Sequence, residues 1–288
     1  MTTRERTTFL MLIAAIMAMG ALPSCKNSKY KRIFTRPDTL CIDSANFLRR
    51  DTSNGRCVTV YIHAEYPTPI TGKLSANIAA WIRDKLGKGT PADTMSAANI
   101  VRYYGNARYN CYTSGSSMPP HSYYKADCRV EGNRKNYVSL KFTLAECAQG
   151  AHCITSVSGI TFRKSDGTPF GWNMIKDTTS KDFRELMREG VRSYISKTLG
   201  EKYVSDENFR SLLACEPEPG LSGENPLKHF PTPKTAPYLS QNGMTFVFQP
   251  YEIAPLSLGA PKFTIPFHDI ESHMTKDALK LLKKAKTN

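Results

Sequence analysis

The chain has 288 residues, of which 40% are hydrophobic and 22% are charged. This length is enough for one large or two small domains. It excludes the class of small proteins that need disulfides or metals because they cannot bury a sufficient core. Lys and Arg number 39 against 25 Asp and Glu, a formal net charge of +14 at pH 7. Such an excess favours anionic partners such as phospholipid, lipopolysaccharide or acidic glycans, although charges scattered over a solvated surface need no partner.

The first residues have the features of an export signal. Arg4 and Arg6 precede an apolar run, Phe9–Leu22, which is shorter than the roughly 20 residues that a membrane-spanning helix needs. The run ends in Leu22-Pro23-Ser24-Cys25, which resembles a lipobox. We therefore predict a signal peptide over residues 1–24 and a lipid (palmitate) on Cys25 that holds the protein at a membrane. The alternative is an ordinary signal peptide that is cut near Ser24 and leaves Cys25 as a thiol.

Residues 25–40 are predicted to be a basic tether, since all the charges from Lys26 to Arg36 are positive. The absence of an acidic run there favours the periplasmic face of the outer membrane over the cell surface. Removing Arg4, Glu5 and Arg6 takes away one net positive charge, so the mature chain keeps +13. Nucleic acid is not an expected partner, because an exported lipoprotein rarely meets it.

The chain has eight cysteines, which in an exported protein indicates disulfides. With Cys25 lipidated the remaining number is odd, so at least one thiol stays unpaired or pairs outside the chain. Cys147 and Cys153 flank a predicted hairpin tip, and Cys111 and Cys128 bracket a polar loop, so both pairs are candidate disulfides. The sequence lacks a CxxC pair, so neither a zinc ribbon nor a thioredoxin-like centre is predicted.

Periodic patterns predict the elements of an N-terminal α+β half, residues 41–133. Cys57–Tyr66 alternates apolar and polar residues, as a strand with one buried face does. Apolar residues at helical spacing predict helices over Ser75–Leu86 and Ala92–Tyr104, the second capped by Asp93. The Ser-, Gly- and Pro-rich segment Cys111–Pro120 is predicted to be a loop.

Three strands with short polar connections follow, which indicates an antiparallel meander. They are predicted over Ser122–Val130, Tyr137–Cys147 and His152–Phe162. Thr179–Leu199 carries an apolar stripe at i, i+3 and i+4 and is the clearest helix, capped by Thr179 or Ser180 and ended by Gly200. A short helix is predicted over Ser205–Leu213.

The C-terminal part begins with a Pro-rich segment, Glu216–Pro237, which predicts an extended loop. Two strand-forming runs, Met244–Phe248 and Lys262–Phe267, then flank a bend rich in Pro and Gly. Thr275–Lys286 is predicted to be a helix or frayed end within a basic tail, residues 275–288. The predicted fold class is α+β: an antiparallel sheet with the long helix packed on one face and shorter N-terminal helices nearby.

Three stretches resemble a known family: Gly150–His152, Thr161–Gly167, and Gly243–Phe267, which reads GMTFVFQPYEIAPLSLGAPKFTIPF. They are similar to the extracytoplasmic, RsiV-like domain of lysozyme-sensing anti-sigma factors. That domain also occurs beside peptidoglycan deacetylase domains and as free-standing lipoproteins of Bacteroidota. The resemblance covers roughly Cys57–Ile270. It implies an RsiV-like domain over residues 134–274, in a family whose members mostly have no assigned activity.

Five residues are candidate ligand contacts: His152, Tyr112, Tyr123, Tyr124 and Tyr251. His152 lies in the family-like turn, where bonding to neighbouring backbone is the simpler role. Three of the tyrosines cluster around the Ser/Gly loop, where rings either stack on sugars or pack as ordinary half-buried side chains. Tyr251 lies in the bend and is expected to pack there, while Glu252 bonds backbone N–H groups.

Chemistry of the hydrolase type is not indicated by any motif in the sequence. His268 and His273 lie five apart with Asp269 and Glu271 between them, and a loop that brings them to one metal is the weaker alternative. Neither a catalytic residue, nor a metal site, nor a cofactor is therefore predicted.

Three functions are compatible with these features. The first is a non-enzymatic cell-envelope lipoprotein that binds an anionic glycan or an envelope protein. The second is a lysozyme-binding inhibitor or sensor, as the resemblance implies. Repulsion between a basic chain and the basic lysozymes of host origin counts against this function. The third is an uncharacterised cell-wall hydrolase centred on His152 or on the segment from His268 to His273.

Overall fold

Two β-sheets, each with its own helices, make up the part of the chain that the computed structural model describes, residues 40–52, 57–68, 72–87, 96–114, 121–147, 153–213 and 230–283. The predicted signal peptide, the lipid site at Cys25, most of the tether and His152 lie outside these residues. The strands are β1 Cys41–Asp51, β2 Cys57–Thr68, β3 His121–Asn133, β4 Tyr137–Cys147, β5 Ile154–Arg163, β6 Pro169–Phe170, β7 Tyr238–Leu239, β8 Gly243–Val247 and β9 Lys262–Pro266. The α-helices are α1 Gly72–Leu86, α2 Ala97–Ser114, α3 Lys181–Leu199, α4 Asp206–Leu212, α5 Phe267–Ile270 and α6 Lys276–Leu282. The predicted α+β class is confirmed.

The larger sheet has six strands in the order β1-β2-β3-β4-β5-β6. The predicted meander of β3, β4 and β5 is confirmed, with antiparallel register from Tyr123↔Cys147 onwards. However, β2 and β3 are parallel, so the sheet is mixed and not wholly antiparallel as predicted. The reason is the connection: α1 and α2 lie between these strands, and a helical crossover returns the chain to the same end of the sheet.

Helices α1 and α2 pack on one face of this sheet. Alternate residues of β2, β3 and β4 point into the core beneath them, including Ile62, Tyr124 and Leu140. Helix α2 differs from the prediction, because it starts at Ala97 and runs to Ser114, through residues expected to form a loop. Its buried side chains recur at helical spacing as far as Tyr112, so packing extends the helix beyond the stripe that the sequence shows.

Strand β1 forms the first edge of the sheet and was not predicted. Of its eleven residues only Ala45 is buried, so the strand lacks the apolar alternation by which β2 was recognised. The strand is instead held by its antiparallel pairing with β2, from Cys41↔Thr68 to Asp51↔Val58. Strand formation here is decided by the neighbouring strand.

The second sheet consists of β7, β8 and β9, and it carries the long helix α3. The strand pair predicted around the bend is confirmed, from Gly243↔Pro266 to Val247↔Lys262. Helix α3 packs on this sheet and not on the larger one. The approach is close at Gly190, where an added Cβ would lie 2.2 Å from the ring of Phe263. Gly200 ends the helix in the left-handed conformation, as predicted.

The two sheets meet through β7. A Cβ on Gly159 of β5 would lie 2.1 Å from the ring of Tyr238, and the Leu239 amide donates to Thr161 Oγ1 at 2.8 Å. The Asn136 side chain reaches helix α6, where its Nδ2 donates to the carbonyl oxygens of Lys280 and Lys283 at 3.1 and 3.0 Å. The predicted boundary at residue 134 therefore lies where hydrogen bonds cross between the two parts, and the division itself stays a prediction.

Candidate functional site

The face of the larger sheet opposite α1 and α2 is the candidate site. Side chains alternate along a strand, so the residues between the buried ones project from this second face. The register places Asn46, His63, Asp127, Thr143 and Val157 in one row across β1 to β5. We call the following set the open face: Asn46, Leu48, Tyr61, His63, Glu65, Tyr123, Lys125, Asp127, Arg129, Thr143 and Val157.

Among the described residues, the second sheet covers one end of this side of the sheet. Tyr238 lies over Gly159, and Tyr137 donates from its hydroxyl to the Ser240 carbonyl at 2.8 Å. Burial raises the pKa of Tyr137 to about 12. Strand β7 therefore borders the open face, and the row from Asn46 to Val157 lies beyond the part that the described residues of the second sheet cover.

Two buried acceptor atoms lie in the floor of the open face. His63 is 9% exposed, and its Nδ1 lies 2.7 Å from Asn46 Oδ1. Because that amide oxygen only accepts, this bond requires a proton on Nδ1, and in the tautomer with that single proton Nε2 is an acceptor. Neither Nε2 nor Asp127 Oδ1 has a hydrogen-bond partner among the described residues, although both atoms are buried. His63 and Asp127 are register partners on neighbouring parallel strands, so the two acceptors serve one place.

Charged groups hold this pair in position. Asp127 Oδ2 accepts from Arg129 Nε at 2.8 Å, and Glu65 Oε2 accepts from the Val130 amide at 2.9 Å. Glu65 Oε1 lies 3.7 Å from His63 Nε2, beyond hydrogen-bonding distance. The second carboxylate is therefore turned towards the backbone and Arg129, and as an acceptor it does not pair with a lone pair on Nε2.

The rim of the open face combines aromatic rings and positive charge. Tyr61 and Tyr123 are half-buried, and the ammonium of Lys125 lies 5.1 Å from the Tyr123 ring centre. Four cations share this side of the sheet with three carboxylates: Arg50, Lys125, Arg129 and Lys141 against Glu65, Asp127 and Glu131. The local excess is a single charge, so most of the +14 of the chain lies elsewhere.

The bend around Tyr251 is attached to the edge of β5. The Gln249 carboxamide donates to the Val157 carbonyl at 2.6 Å and accepts from the Val157 amide at 3.2 Å, as a neighbouring strand would. Tyr251 has φ 65 and is 58% exposed. It is not packed as expected, and its left-handed backbone is uncommon for a residue with a side chain. Glu252 does bond backbone, accepting from the Gln249 amide at 2.6 Å.

Two candidate tyrosines are core residues, which corrects the prediction. Tyr112 and Tyr124 are buried on the helix side of the sheet, where Tyr112 donates to Glu146 and Tyr124 donates to the Leu86 carbonyl at 3.4 Å. Burial raises the pKa of both hydroxyls. These rings are therefore inaccessible to a ligand, and Tyr123 alone of the three faces the open side.

The cysteine predictions have two outcomes. Cys147 and Cys153 form the predicted disulfide, with Cα atoms 4.4 Å apart. Cys111 and Cys128 do not pair, because Cys111 is on the exposed side of α2 while Cys128 is buried in β3. Burial raises the pKa of the Cys128 thiol, so it stays protonated in the core.

The histidines near the C-terminus do not come together. His268 is paired with the neighbouring Asp269 at 3.2 Å, whereas the ring of His273 packs 5.7 Å from that of Phe183. Among the residues that the structure describes, His, Cys, Asp and Glu side chains do not form a group of three that could hold a metal ion. None of the helices in those residues is long and apolar enough to cross a membrane.

A cavity of about 500 Å³ lies between α3 and the residues that follow it, Glu201–Tyr203, and it is lined by the buried guanidinium of Arg192. Arg192 stacks 4.8 Å from the Phe209 ring centre, and its Nη2 lies 2.6 Å from Asp206 Oδ1. The hydrogen bond from Arg192 holds the pKa of Asp206 below its usual range. The cation is ion-paired with Glu189 and Asp206 within the fold, so this cluster attaches α4 to α3.

Comparison with known protein families finds a match in the C-terminal part of the chain. Residues 176–268 match a family described as a protein of unknown function, DUF3298. The matched segment contains α3, the second sheet and the Tyr251 bend. Sequence comparison finds no match among functionally curated proteins.

Two solved structures share the fold. A DUF3298 family member from Bacteroides fragilis is 17% identical, with a TM-score of 0.61, and the alignment covers 85% of this chain and 98% of that one. A DUF3298 family protein from Pseudomonas aeruginosa is 16% identical, with a TM-score of 0.56 and coverage of 84% and 97%. At these identities the similarity shows the fold alone, and it extends over both sheets.

Sequence reasoning missed His63 and Asp127. The available signal was the pair of charged or polar residues at i and i+2 in two strands, His63 with Glu65 and Asp127 with Arg129. Such a pair marks one polar strand face. It does not show that the two strands are neighbours, which depends on the parallel crossover.

Proposed function

We propose that this chain is a non-enzymatic cell-envelope lipoprotein, anchored through Cys25, that binds a glycan on the open face. The observation that carries the proposal is the pair of buried acceptors, His63 Nε2 and Asp127 Oδ1, which lack partners among the described residues. An unsatisfied buried polar atom costs about 1–3 kcal/mol. Both atoms are buried in the unliganded chain, so a ligand that supplies hydrogen-bond donors at this place recovers that free energy once the surrounding side chains move aside.

The pair selects a donor-rich ligand. Both atoms are acceptors, so they suit neighbouring hydroxyl groups of a sugar and do not suit a carboxylate or phosphate. The Tyr61 and Tyr123 rings at the rim provide apolar surface for a sugar ring, and Lys125 adds a preference for acidic glycans. With a single excess charge on this side of the sheet, that preference is modest and screened by salt.

The experiment measures binding of the full chain to neutral polysaccharide, acidic polysaccharide and peptidoglycan, with lysozyme as a protein arm. Asp127→Asn removes the negative charge and replaces one acceptor oxygen with an NH2 donor. We expect glycan affinity to fall by about tenfold to a hundredfold, which is the contribution of a charge-assisted hydrogen bond. Asp166→Asn is the matched control. It removes a similar Asp–Arg pair, in which Arg163 Nε donates at 3.0 Å, away from the open face.

Two outcomes would contradict the proposal. Equal glycan binding by Asp127→Asn and by the unmodified chain would show that the acceptor pair does not contact the ligand. Shortening of the glycan during the measurement would show that the chain is an enzyme. Binding confined to lysozyme would favour the second of the functions that the sequence suggests.

A further inference from the structure

Strand β1 leaves one side of its backbone without a partner strand in the described part of the chain. It pairs with β2 along all eleven residues and lies at the end of the sheet order. An edge of this length presents a row of amide and carbonyl groups that can accept another strand. Proteins usually protect such an edge from pairing with other chains by placing charged residues or proline on it. Exposed apolar side chains on an edge strand therefore indicate that another strand pairs with it.

Two apolar residues of β1 are exposed. Ile42 is 40% exposed and Leu48 is 66% exposed. Both have even numbers in a strand where Asn46 contacts His63, so both project on the same side as the open face. They lie three residues before and three residues after Ala45, which makes the apolar pattern of this edge symmetric about Ala45.

Antiparallel pairing with a second copy of β1 can place these two exposed residues opposite each other. If a two-fold axis perpendicular to the sheet passes at Ala45, Ile42 lies opposite Leu48 of the second copy, and the same contact occurs twice. An axis at Asn46 would instead place Ile42 opposite Arg50 and Leu48 opposite Ser44, and an axis at Ser44 would place Ile42 opposite Asn46 and Leu48 beyond the first residue of the strand. Apolar cross-strand pairs contribute about 0.2–1 kcal/mol each relative to alanine.

The charges of β1 agree with the same register. Asp43 and Arg49 lie on the opposite side of the strand from Ile42 and Leu48. With the axis at Ala45, Asp43 lies diagonally across from Arg49 of the second copy, within reach of a long side chain. Two such contacts form per pair of chains, and they add complementarity without placing like charges opposite each other.

We propose that the chain self-associates through β1, with the axis at Ala45, to form a continuous sheet from two six-stranded sheets. A perpendicular axis keeps both open faces on the same side. If the proposed glycan binding is correct, one long glycan reaches two sites, and avidity strengthens binding without new contacts. The self-association itself does not depend on a glycan.

The test is sedimentation equilibrium of the full chain in detergent, without glycan, over a wide concentration range. In the proposed register, I42K/L48K places like charges opposite each other, whereas I42K/L48E places opposite charges there. We expect the unmodified chain and I42K/L48E to dimerise, and I42K/L48K to dissociate at least about tenfold more readily. Ile154→Lys is the control, since Ile154 is 49% exposed on β5, towards the other side of the sheet order.

Two results would overturn the proposal. The first is a chain that stays monomeric at every concentration. The second is equal dissociation of I42K/L48K and I42K/L48E, because the sign of the charge at position 48 matters only if it faces position 42. The association test contains no glycan, and the glycan test changes Asp127, which lies outside β1, so the two ideas fail separately.

Discussion

Replacing Gly243 with alanine tests the close approach of β8 and β9. A Cβ on Gly243 would lie 2.0 Å from the Ile265 carbonyl oxygen and 2.8 Å from its carbon. Both are backbone atoms, so a side-chain rotation cannot relieve the clash. Contact distances for carbon are about 3.5 Å, so the strands must separate locally by roughly 1.5 Å, which is enough to break the ladder hydrogen bonds of the neighbouring pair Met244↔Ile265.

We expect Gly243→Ala to lower the free energy of unfolding by about 3–5 kcal/mol. This sum combines overpacking, at about 1–3 kcal/mol, with lost ladder hydrogen bonds at about 1 kcal/mol each. Urea denaturation measures it as a lower midpoint at similar slope. Gly200→Ala is the control, because Gly200 has φ 71 with open space around it, so it costs only the left-handed strain of about 1–2 kcal/mol. A Gly243→Ala variant that is no less stable than Gly200→Ala would refute the argument.

Three further predictions concern stability. Asn136→Ala removes the side-chain donor to the last carbonyls of α6, so we expect a loss of about 1–2 kcal/mol and faster amide exchange confined to α6. Cys147→Ser with Cys153→Ser opens a bridge with sequence separation 6, and chain entropy predicts a loss of about 2 kcal/mol; unchanged stability would mean that the denatured state is not restricted by it. The buried Tyr137 has a pKa raised to about 12. Its neutral form therefore contributes stability that is complete below about pH 10 and is lost as pH rises towards 12. Tyr137→Phe should show a shallower alkaline loss, and an identical pH profile would contradict this.

Local periodicity predicted much of the secondary structure. Strand β2, the β3 to β5 meander, α3 and the β8–β9 pair were confirmed, because each has a regular apolar pattern and Gly or Pro at its ends. The pattern failed where neighbours decide the structure. Strand β1 has one buried residue in eleven, and the last turns of α2 follow a segment that looks like a loop.

The candidate site shows the same limit. Tyr112 and Tyr124 were chosen because they lie near a polar loop in sequence, but the strand alternation places them in the core. Tyr123, one residue away from Tyr124, faces the open side. A difference of one residue reverses the face of a strand, so the choice of candidates requires the register.

The amino-acid sequence by itself determined the class of fold and the positions of most helices and strands, and it offered the disulfide at Cys147 and Cys153 as one of two candidate pairs. These depend on interactions between residues close in the chain, where spacing is sufficient information. Only the tertiary structure decided that β2 and β3 run parallel. It also decided that His63 and Asp127 lie side by side on these strands, each with a buried atom that has no hydrogen-bond partner among the described residues. Those two residues are 64 positions apart, and their proximity follows from the crossover through α1 and α2, which chain spacing does not encode.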